Sequence, residues 1–175
     1  MPALDADEAV EQLYAAHWRS LVRLSVLLVH DLGTAEEIVQ DAFVAMHGKW
    51  SRLREPDKAL AYLRQAVVNR SRSALRHRKV VDRHVAHEAG LSRGETSDPA
   101  ERAALAADRR AAVLDALASL PRRQREVLAL RYYLELSETE IASTLGISNG
   151  AVKSHASRGS AALRASLSDR LEDLR

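Results

Sequence analysis

Residues 137–154 read SETEIASTLGISNGAVKS, and each position with a special stereochemical demand carries a residue type that meets it. Ser137 followed by Glu140 predicts a capping box, in which each side chain binds the other residue's backbone N–H at a helix start. Gly146 supplies the positive φ of a tight turn, and Ser148 is suited to cap the next helix. The stretch therefore predicts a helix-turn-helix motif.

The second helix of such a motif enters the DNA major groove, where its first turn offers backbone N–H groups to a phosphate. Lys153 suits phosphates or guanine edges, and Asn149 suits adenine or a phosphate. The residues expected to face DNA are Ser148, Asn149, Gly150, Lys153, Ser154, His155 and Arg158. Upstream, the candidates for phosphate contacts are Arg122, Arg123, Arg125 and Arg131, although a solvated face explains any single one equally well. A helical hairpin that binds nothing is the alternative to this interpretation.

The rest of the chain also predicts helices, because Gly and Pro are scarce (7 and 4 residues) and apolar residues recur at helical spacing. Around residues 84–98 this period fails and turn-forming residues dominate. We therefore expect an all-α fold of two small helical domains, 1–83 and 99–175, joined by a flexible linker over 84–98. Asp98 is a candidate N-cap, and the helix that it opens carries the apolar residues Leu105, Val113, Leu114 and Leu117.

The net charge of +2 conceals an uneven distribution of charge along the chain. Residues 1–48 carry two basic and eight acidic side chains, whereas residues 49–83 carry eleven basic and three acidic ones. Two solvated faces would explain this asymmetry, but a concentrated basic block also indicates a polyanionic partner. The acidic front, with apolar residues among its carboxylates, suits a basic protein partner.

Several function classes find little support in the sequence. Cysteine is absent, which excludes disulfides, thiolate nucleophiles and Cys-ligated metals and favours a reducing compartment. His84 and His87 lack a nearby third ligand, so no metal site is expected. Neither a nucleophile elbow nor a glycine-rich phosphate loop occurs, so we expect no enzyme and no cofactor. The acidic N-terminus has no following apolar core, and no apolar run approaches the roughly 20 residues of a membrane span.

Four segments carry a family resemblance, namely 35–43 (AEEIVQDAF), 60–70 (LAYLRQAVVNR), 120–131 and the helix-turn-helix. Together they resemble the extracytoplasmic-function sigma factors of bacterial RNA polymerase, and residues 151–159 more loosely resemble the actinobacterial sigma-E branch. The resemblance implies two domains, sigma region 2 (core polymerase and −10 element) and helix-turn-helix region 4 (−35 element). It implies that the chain directs promoter-specific initiation and binds the clamp helices of the largest polymerase subunit and the flap of the second. An anti-sigma factor and a cytoplasmic, nucleoid-associated location are also implied.

The resemblance also assigns roles to residues. Those expected to bind core polymerase are Glu36, Glu37, Val39, Gln40 and Asp41. Those expected at the −10 element are Arg52, Arg54, Asp57, Lys58, Tyr62, Asn69, Arg72 and Arg76. The loop 51–58 corresponds to the loop that captures a base flipped from the non-template strand, and Trp50 and Tyr62 are candidates for stacking on it, although a core position explains Trp50 equally well.

Departures from the family pattern keep two alternatives open. Residues 155–160 (HASRGS) stand where the family often has Arg-Leu-His-Arg-Ala-Arg, so two basic positions of the second motif helix are lost. Gly159 also costs the helix up to about 1 kcal/mol, so a weaker or altered −35 preference is expected. One alternative is a stand-alone helix-turn-helix regulator that binds duplex DNA without polymerase. The other is a sigma-like antagonist that binds polymerase but not DNA.

Overall fold

The computed structural model describes residues 5–85 and 101–173, in which all regular elements are helical, so the all-α prediction is confirmed. The N-terminal unit (residues 5–85) contains α1 (Ala6–Val29), α2 (Leu32–Lys49) and α3 (Ala59–Val85), with two 3₁₀ turns, Trp50–Arg52 and Pro56–Lys58, before α3. The C-terminal unit (residues 101–173) contains α4 (Glu101–Ser119), α5 (Arg122–Leu128), a π-helical turn (Ala129–Tyr133), α6 (Glu138–Leu145) and α7 (Asn149–Asp173). The predicted linker 84–98 and the Asp98 cap lie outside the described residues, except that α3 continues through the linker's first two positions.

In the N-terminal unit the three long helices pack around a core of Leu, Val and Met side chains. Leu24, Met46 and Leu63, one from each helix, are completely buried. Phe43 is buried as well, and its ring lies edge-on against the ring of Tyr14, so Phe43 belongs to this core. The core thus holds α2 and α3 in place and leaves the outer face of α2 exposed.

The helix-turn-helix has the local geometry that its residues predict. The Ser137 hydroxyl accepts from the Glu140 N–H at 3.2 Å, and the Glu140 carboxylate accepts from the Ser137 N–H at 2.8 Å. These hydrogen bonds lower the pKa of the Glu140 carboxyl. Gly146 ends α6 with φ of 65°, and the Ser148 hydroxyl accepts from the Ala151 N–H at 3.1 Å to cap α7.

Gly159 lies where α7 crosses α5. A Cβ at this position would lie 3.1 Å from both Gln124 Cβ and Leu128 Cδ1, closer than ordinary van der Waals contact. The glycine therefore permits a close helix approach, in addition to lowering helix propensity. The packing of α7 against α5 therefore explains the glycine, and the sequence of the motif alone did not indicate this.

The two units pack against each other through α1 with α4, α1 with the π-helical turn, and α3 with α6. A single hydrophobic cluster contains Leu24 and Val67 from one unit together with Val127 and Ile141 from the other. A cavity of about 460 Å³ separates α1 from part of α4, and Val113 borders it. Of the apolar residues of α4, Leu117 is buried, whereas Leu105 is 54% exposed and Val113 39%.

Arg125 connects the ends of helices from both units. Its guanidinium donates to the carbonyl oxygens of Leu117, Ala118 and Leu120 at 2.9–3.0 Å and to that of Leu28, at the end of α1, at 3.1 Å. Four acceptors leave little capacity for a phosphate, so Arg125 is a structural residue and its interpretation as a phosphate contact is wrong.

His30 lies beside Arg125 and closes α1 in the left-handed conformation, with φ of 59°. Both imidazole nitrogens are buried, and neither has a hydrogen-bond partner among the described residues. Burial is the main cause that lowers the pKa of His30. The positive charges of Arg125 and Arg78 add to the lowering, and Asp115 opposes it. The ring is therefore held neutral at a junction of α1, α3, α4 and α5.

Candidate nucleic-acid and protein interfaces

The start of α7 presents the predicted −35 residues. Ser148, Asn149, Gly150, Lys153 and Arg158 are exposed, whereas Ser154 and His155 are half-buried. The first turn of α7 begins directly after the Ser148 cap, so its remaining N–H groups point along the helix axis, away from the body of the helix. Val152, on the opposite side of the same turn, is completely buried and anchors the helix to the core.

Glu138 joins two of the predicted DNA cations, and sequence reasoning missed it. Its carboxylate oxygens lie 3.7 Å from Lys153 Nζ and 3.6 Å from Arg131 Nη1. Arg131 also lies 5.9 Å from the ring centroid of Tyr132, which is exposed. The Glu138 carboxylate keeps both cations at one edge of the motif. Because the two ion pairs are solvent-exposed and 3.6–3.7 Å long, they hold Arg131 and Lys153 only weakly.

The predicted −10 loop is open to solvent. Arg52, Arg54, Asp57 and Lys58 are all exposed, and Lys58 Nζ pairs with Glu55 at 2.5 Å. Tyr62 and Trp50 are only half-buried and pack against the core. Lys49, which the sequence did not single out, donates to the Tyr62 hydroxyl at 3.3 Å. The Tyr62 ring thus combines a polar edge with a nearby cation, an arrangement that suits a stacked base.

The remaining −10 residues follow one another along α3. Arg72 Nη1 donates to Asn69 Oδ1 at 3.3 Å, and Arg76 Nη2 donates to the Ser73 hydroxyl at 3.2 Å. Asn69 and Arg76 are exposed, whereas Arg72 is mostly covered. Asn69, Arg72 and Arg76 therefore lie along one stretch of α3, but Arg72 is not free to contact DNA in this arrangement.

Arg72 is held by a carboxylate of the C-terminal unit. Its Nε donates to Glu126 Oε1 at 2.6 Å, and its Nη2 donates to Glu126 Oε2 at 2.8 Å, a bidentate pair. Glu126 is 2% exposed and also lies 3.3 Å from Arg123 Nη1. In this arrangement the C-terminal unit covers one of the cations predicted to contact the −10 element. No local pattern indicates this pairing, because the two residues lie 54 positions apart.

The outer face of α2 carries the residues predicted to bind polymerase, with one exception. Glu36, Glu37, Gln40 and Asp41 are exposed. Val39 is 0% exposed and lies in the core, so the prediction that it contacts a partner is contradicted.

The reason is the helical period, which places Val39 on the same buried side as Ala35, Ala42 and Met46. Val44 is instead 65% exposed and follows Gln40 by one turn, so the apolar residue available on this face is Val44. The signal in the sequence was the helical spacing, because Gln40, Asp41 and His47, one turn before and after Val44, are polar. Asp41 Oδ2 lies 3.7 Å from Arg70 Nη1, a contact that leaves the carboxylate mostly exposed.

The described residues form neither a metal site nor a membrane-spanning helix. Among residues 5–85 and 101–173, no cluster of three His, Asp or Glu side chains is placed to hold a metal ion. None of the helices in these same ranges combines the length and the apolar character needed to cross a bilayer.

Comparison with known proteins finds two family matches. Residues 13–80 match sigma-70 region 2, and residues 110–163 match sigma-70 region 4. The RNA polymerase sigma-E factor of Streptomyces avermitilis is 35% identical over 156 residues, which cover 89% of this chain and 83% of that protein. The ECF RNA polymerase sigma factor SigL of Mycobacterium tuberculosis is 31% identical over 165 residues, covering 90% and 88%. The probable RNA polymerase sigma factor RfaY of Xanthomonas campestris is 28% identical, and the match spans 97% of this chain but only 43% of that protein.

Two solved structures share the fold. The sigma factor RpoE in complex with the anti-sigma factor NepR, from Bartonella quintana, has a TM-score of 0.70 at 24% identity and covers 90% of this chain and 96% of that one. CnrH in complex with the cytosolic domain of CnrY has a TM-score of 0.65 at 26% identity and covers 96% and 95%.

Proposed function

Because the chain belongs to the extracytoplasmic-function group of the sigma-70 family, we propose that it binds core RNA polymerase and directs initiation at promoters with −10 and −35 elements. The observation that carries the proposal is the occurrence of both sigma regions, in order, on one chain whose helix-turn-helix has complete capping geometry. The chemistry of initiation belongs to the polymerase, and the cytoplasm is the compartment where this chain would act.

The outer face of α2 is the proposed contact with the clamp helices of the largest polymerase subunit. Glu37, Gln40 and Asp41 form a polar, mainly acidic rim beside Val44, the exposed apolar side chain of this face. Complementary charge guides the encounter, and the apolar contact adds area that is removed from water. The C-terminal unit is the proposed partner of the flap of the second subunit.

The 51–58 loop and α3 are proposed to handle the −10 element. Flipping a base costs a few kcal/mol, which pocket contacts must return. Asn69 offers hydrogen bonds, Tyr62 offers a ring, and the cations of α3 follow the phosphates. The start of α7 is proposed to read the −35 element, with Lys153 and Arg131 released from Glu138 when phosphates approach.

An anti-sigma factor is the proposed regulatory partner. The solved relatives RpoE and CnrH are described in complexes with NepR and CnrY, respectively. The pairing of Arg72 with Glu126 supports a mechanism in which regulation controls whether DNA can reach the proposed −10 surface. In this arrangement the C-terminal unit already covers part of that surface.

Run-off transcription with purified bacterial core polymerase on a promoter library, with and without the protein, tests the proposal. New start sites that share two short upstream motifs would support it and supply the promoter. Co-elution with core polymerase without transcription would favour the antagonist. Duplex DNA binding without co-elution would favour the stand-alone regulator.

Paired variants test the residue assignments. Lys153→Ala should weaken −35 binding about tenfold, the loss of one good contact, whereas Arg164→Ala, an exposed change farther along α7, should not. Asn69→Ala should impair promoter opening more than duplex binding, with Gln65→Ala on the same helix as its control. Equal transcription from all four variants at limiting protein would contradict these assignments.

A further inference from the structure

A second cavity, of about 550 Å³, lies between the two units where α3 faces the end of α4 and the start of α5. Its lining contains six cationic side chains, which are Arg72, Arg76, Arg78, Lys79, Arg122 and Arg125. Two carboxylates, Asp82 and Asp115, also border it, and Asp115 is already paired with Arg170 at 3.1 Å. The positive lining therefore exceeds the negative lining, and the excess comes from both units.

Three of the cations are committed to the protein. Arg125 donates to four carbonyls, Arg72 is paired with Glu126, and Arg78 Nη1 donates to the carbonyl of Val29 at 2.8 Å. These guanidinium groups are fixed in place, and their positive charge still contributes to the field in the cavity.

The other three cations retain free donors. Lys79 makes no hydrogen bond or ion pair within the described ranges, and the only such contact that Arg76 makes there is the bond to Ser73. Arg122 lies 3.8 Å from the carboxylate of Glu126, which closer arginines already occupy. Free cations thus approach the cavity from α3 on one side and from α5 on the other.

The remaining lining consists of the His30 imidazole and a largely apolar wall that includes Leu75, Leu120 and Pro121. Ligand cavities commonly measure about 300–1,000 Å³ and combine an apolar wall with a few convergent polar groups. We propose that this cavity binds a small molecule with two or more linked phosphate groups, and that a nucleoside di- or triphosphate fits both its cations and its apolar wall. Lys79, Arg76 and Arg122 bind the phosphates, and the apolar wall packs against the organic part.

Because both units build the cavity, the ligand favours the arrangement in which they are closed. Arg72 and Arg76 are also the proposed −10 contacts, so a bound ligand opposes promoter binding; this consequence alone rests on the proposed function. The binding itself is measured on the purified chain without polymerase or DNA.

The test is titration calorimetry of the full chain with ATP at physiological ionic strength in EDTA, with tripolyphosphate and adenosine as separate probes. ATP should bind with one site per chain, and adenosine should not bind. Lys79→Glu on α3 and Arg122→Glu on α5 should each weaken binding at least about tenfold, as expected for a lost charge-assisted contact. Arg19→Glu, an exposed reversal of equal charge on α1 outside the cavity, should change the affinity less than about twofold.

Each outcome bears on the proposal. Tighter binding of ATP than of tripolyphosphate assigns the ligand to nucleotides, and equal binding assigns it to condensed inorganic phosphate; both support the site. A dissociation constant above about 1 mM for ATP overturns it, because that is weak binding for a built site. An effect of Lys79→Glu without one of Arg122→Glu places the anion on α3 alone and overturns the shared cavity. Equal losses with Arg19→Glu reduce the effect to overall charge and also overturn it.

Discussion

Replacing Glu126 with glutamine should weaken the packing of the two units against each other in the free protein. Glu126 accepts from Arg72 at 2.6 and 2.8 Å across the interface and lies 3.3 Å from Arg123 within its own helix. Glutamine keeps the volume and one acceptor but removes the negative charge. Arg72 and Arg123 would then face each other across the interface with no carboxylate between them.

The size of the effect follows from burial. The Glu126 side chain is 3% exposed and that of Arg72 is 16% exposed, so solvent screens the pair poorly. Removal of one partner of a buried pair costs about 3–5 kcal/mol. Since glutamine still accepts one hydrogen bond, we expect about 2 kcal/mol, which shifts the equilibrium between closed and open forms roughly thirtyfold.

Energy transfer between two dyes measures this equilibrium. The chain has no cysteine, so Ser51→Cys and Ser168→Cys, one exposed position in each unit, provide specific labelling sites. Glu126→Gln should lower and broaden the transfer efficiency. Glu138→Gln is the matched control, because that carboxylate is more exposed and its cationic partners both lie within the C-terminal unit. Its effect on the interface should be absent.

Arg72→Gln tests whether the effect of Glu126→Gln comes from the interface between the units or from a loss of stability within the C-terminal unit. It removes the same pair from the α3 side and leaves Glu126 with Arg123. Both variants should therefore open the protein. If both retain the transfer efficiency of the parent chain, the pair does not hold the units together and the reasoning from burial is refuted.

Three further variants test other features. Gly159→Ala should destabilise the protein by about 1–3 kcal/mol through overpacking, despite its better helix propensity. Gly150→Ala should not, because its Cβ would meet only the Ser148 hydroxyl, at an ordinary contact distance of 3.9 Å; thermal denaturation compares the two. Because the pKa of His30 is held below its unfolded value, stability is full above about pH 6.5 and falls as the pH decreases below that value. His30→Asn, which tolerates the left-handed cap, should lessen this fall in urea denaturation between about pH 5 and 8, and an unchanged pH profile would contradict it. Val44→Glu should weaken association with core polymerase several-fold in a pull-down titration, whereas Leu105→Glu, also exposed, should have no effect.

Local patterns in the sequence predicted local structure. The capping box of Ser137 and Glu140, the left-handed Gly146 and the Ser148 cap all involve partners within four residues, so their spacing in the sequence determines their geometry. The exposure of Glu37 and Asp41 also followed from a helical period. These features could be predicted because their physics is contained in a short stretch.

Features that depend on distant partners could not be predicted in this way. Arg125 looked like a phosphate contact because nothing nearby in sequence indicates that Leu28, 97 residues away, supplies an acceptor. Arg72 and Glu126 are 54 residues apart. Gly159 looked like a weak helix position because the side chain that excludes a Cβ belongs to α5. The burial of Val39 was missed for a different reason. Ile38 and Val39 are adjacent apolar residues, and the sequence alone does not show where the buried face of the helix ends between them.

The continuous hydrophobic cluster has an energetic consequence. Leu24 and Val67 share it with Val127 and Ile141, so neither half of the chain has a core entirely its own. Separating the halves exposes apolar surface to water at about 25 cal/mol for each Å². The two halves are proposed to bind different partners, but each depends on the other for part of its hydrophobic core. A partner that separates the two halves must therefore bury a similar area of the apolar surface that the separation exposes.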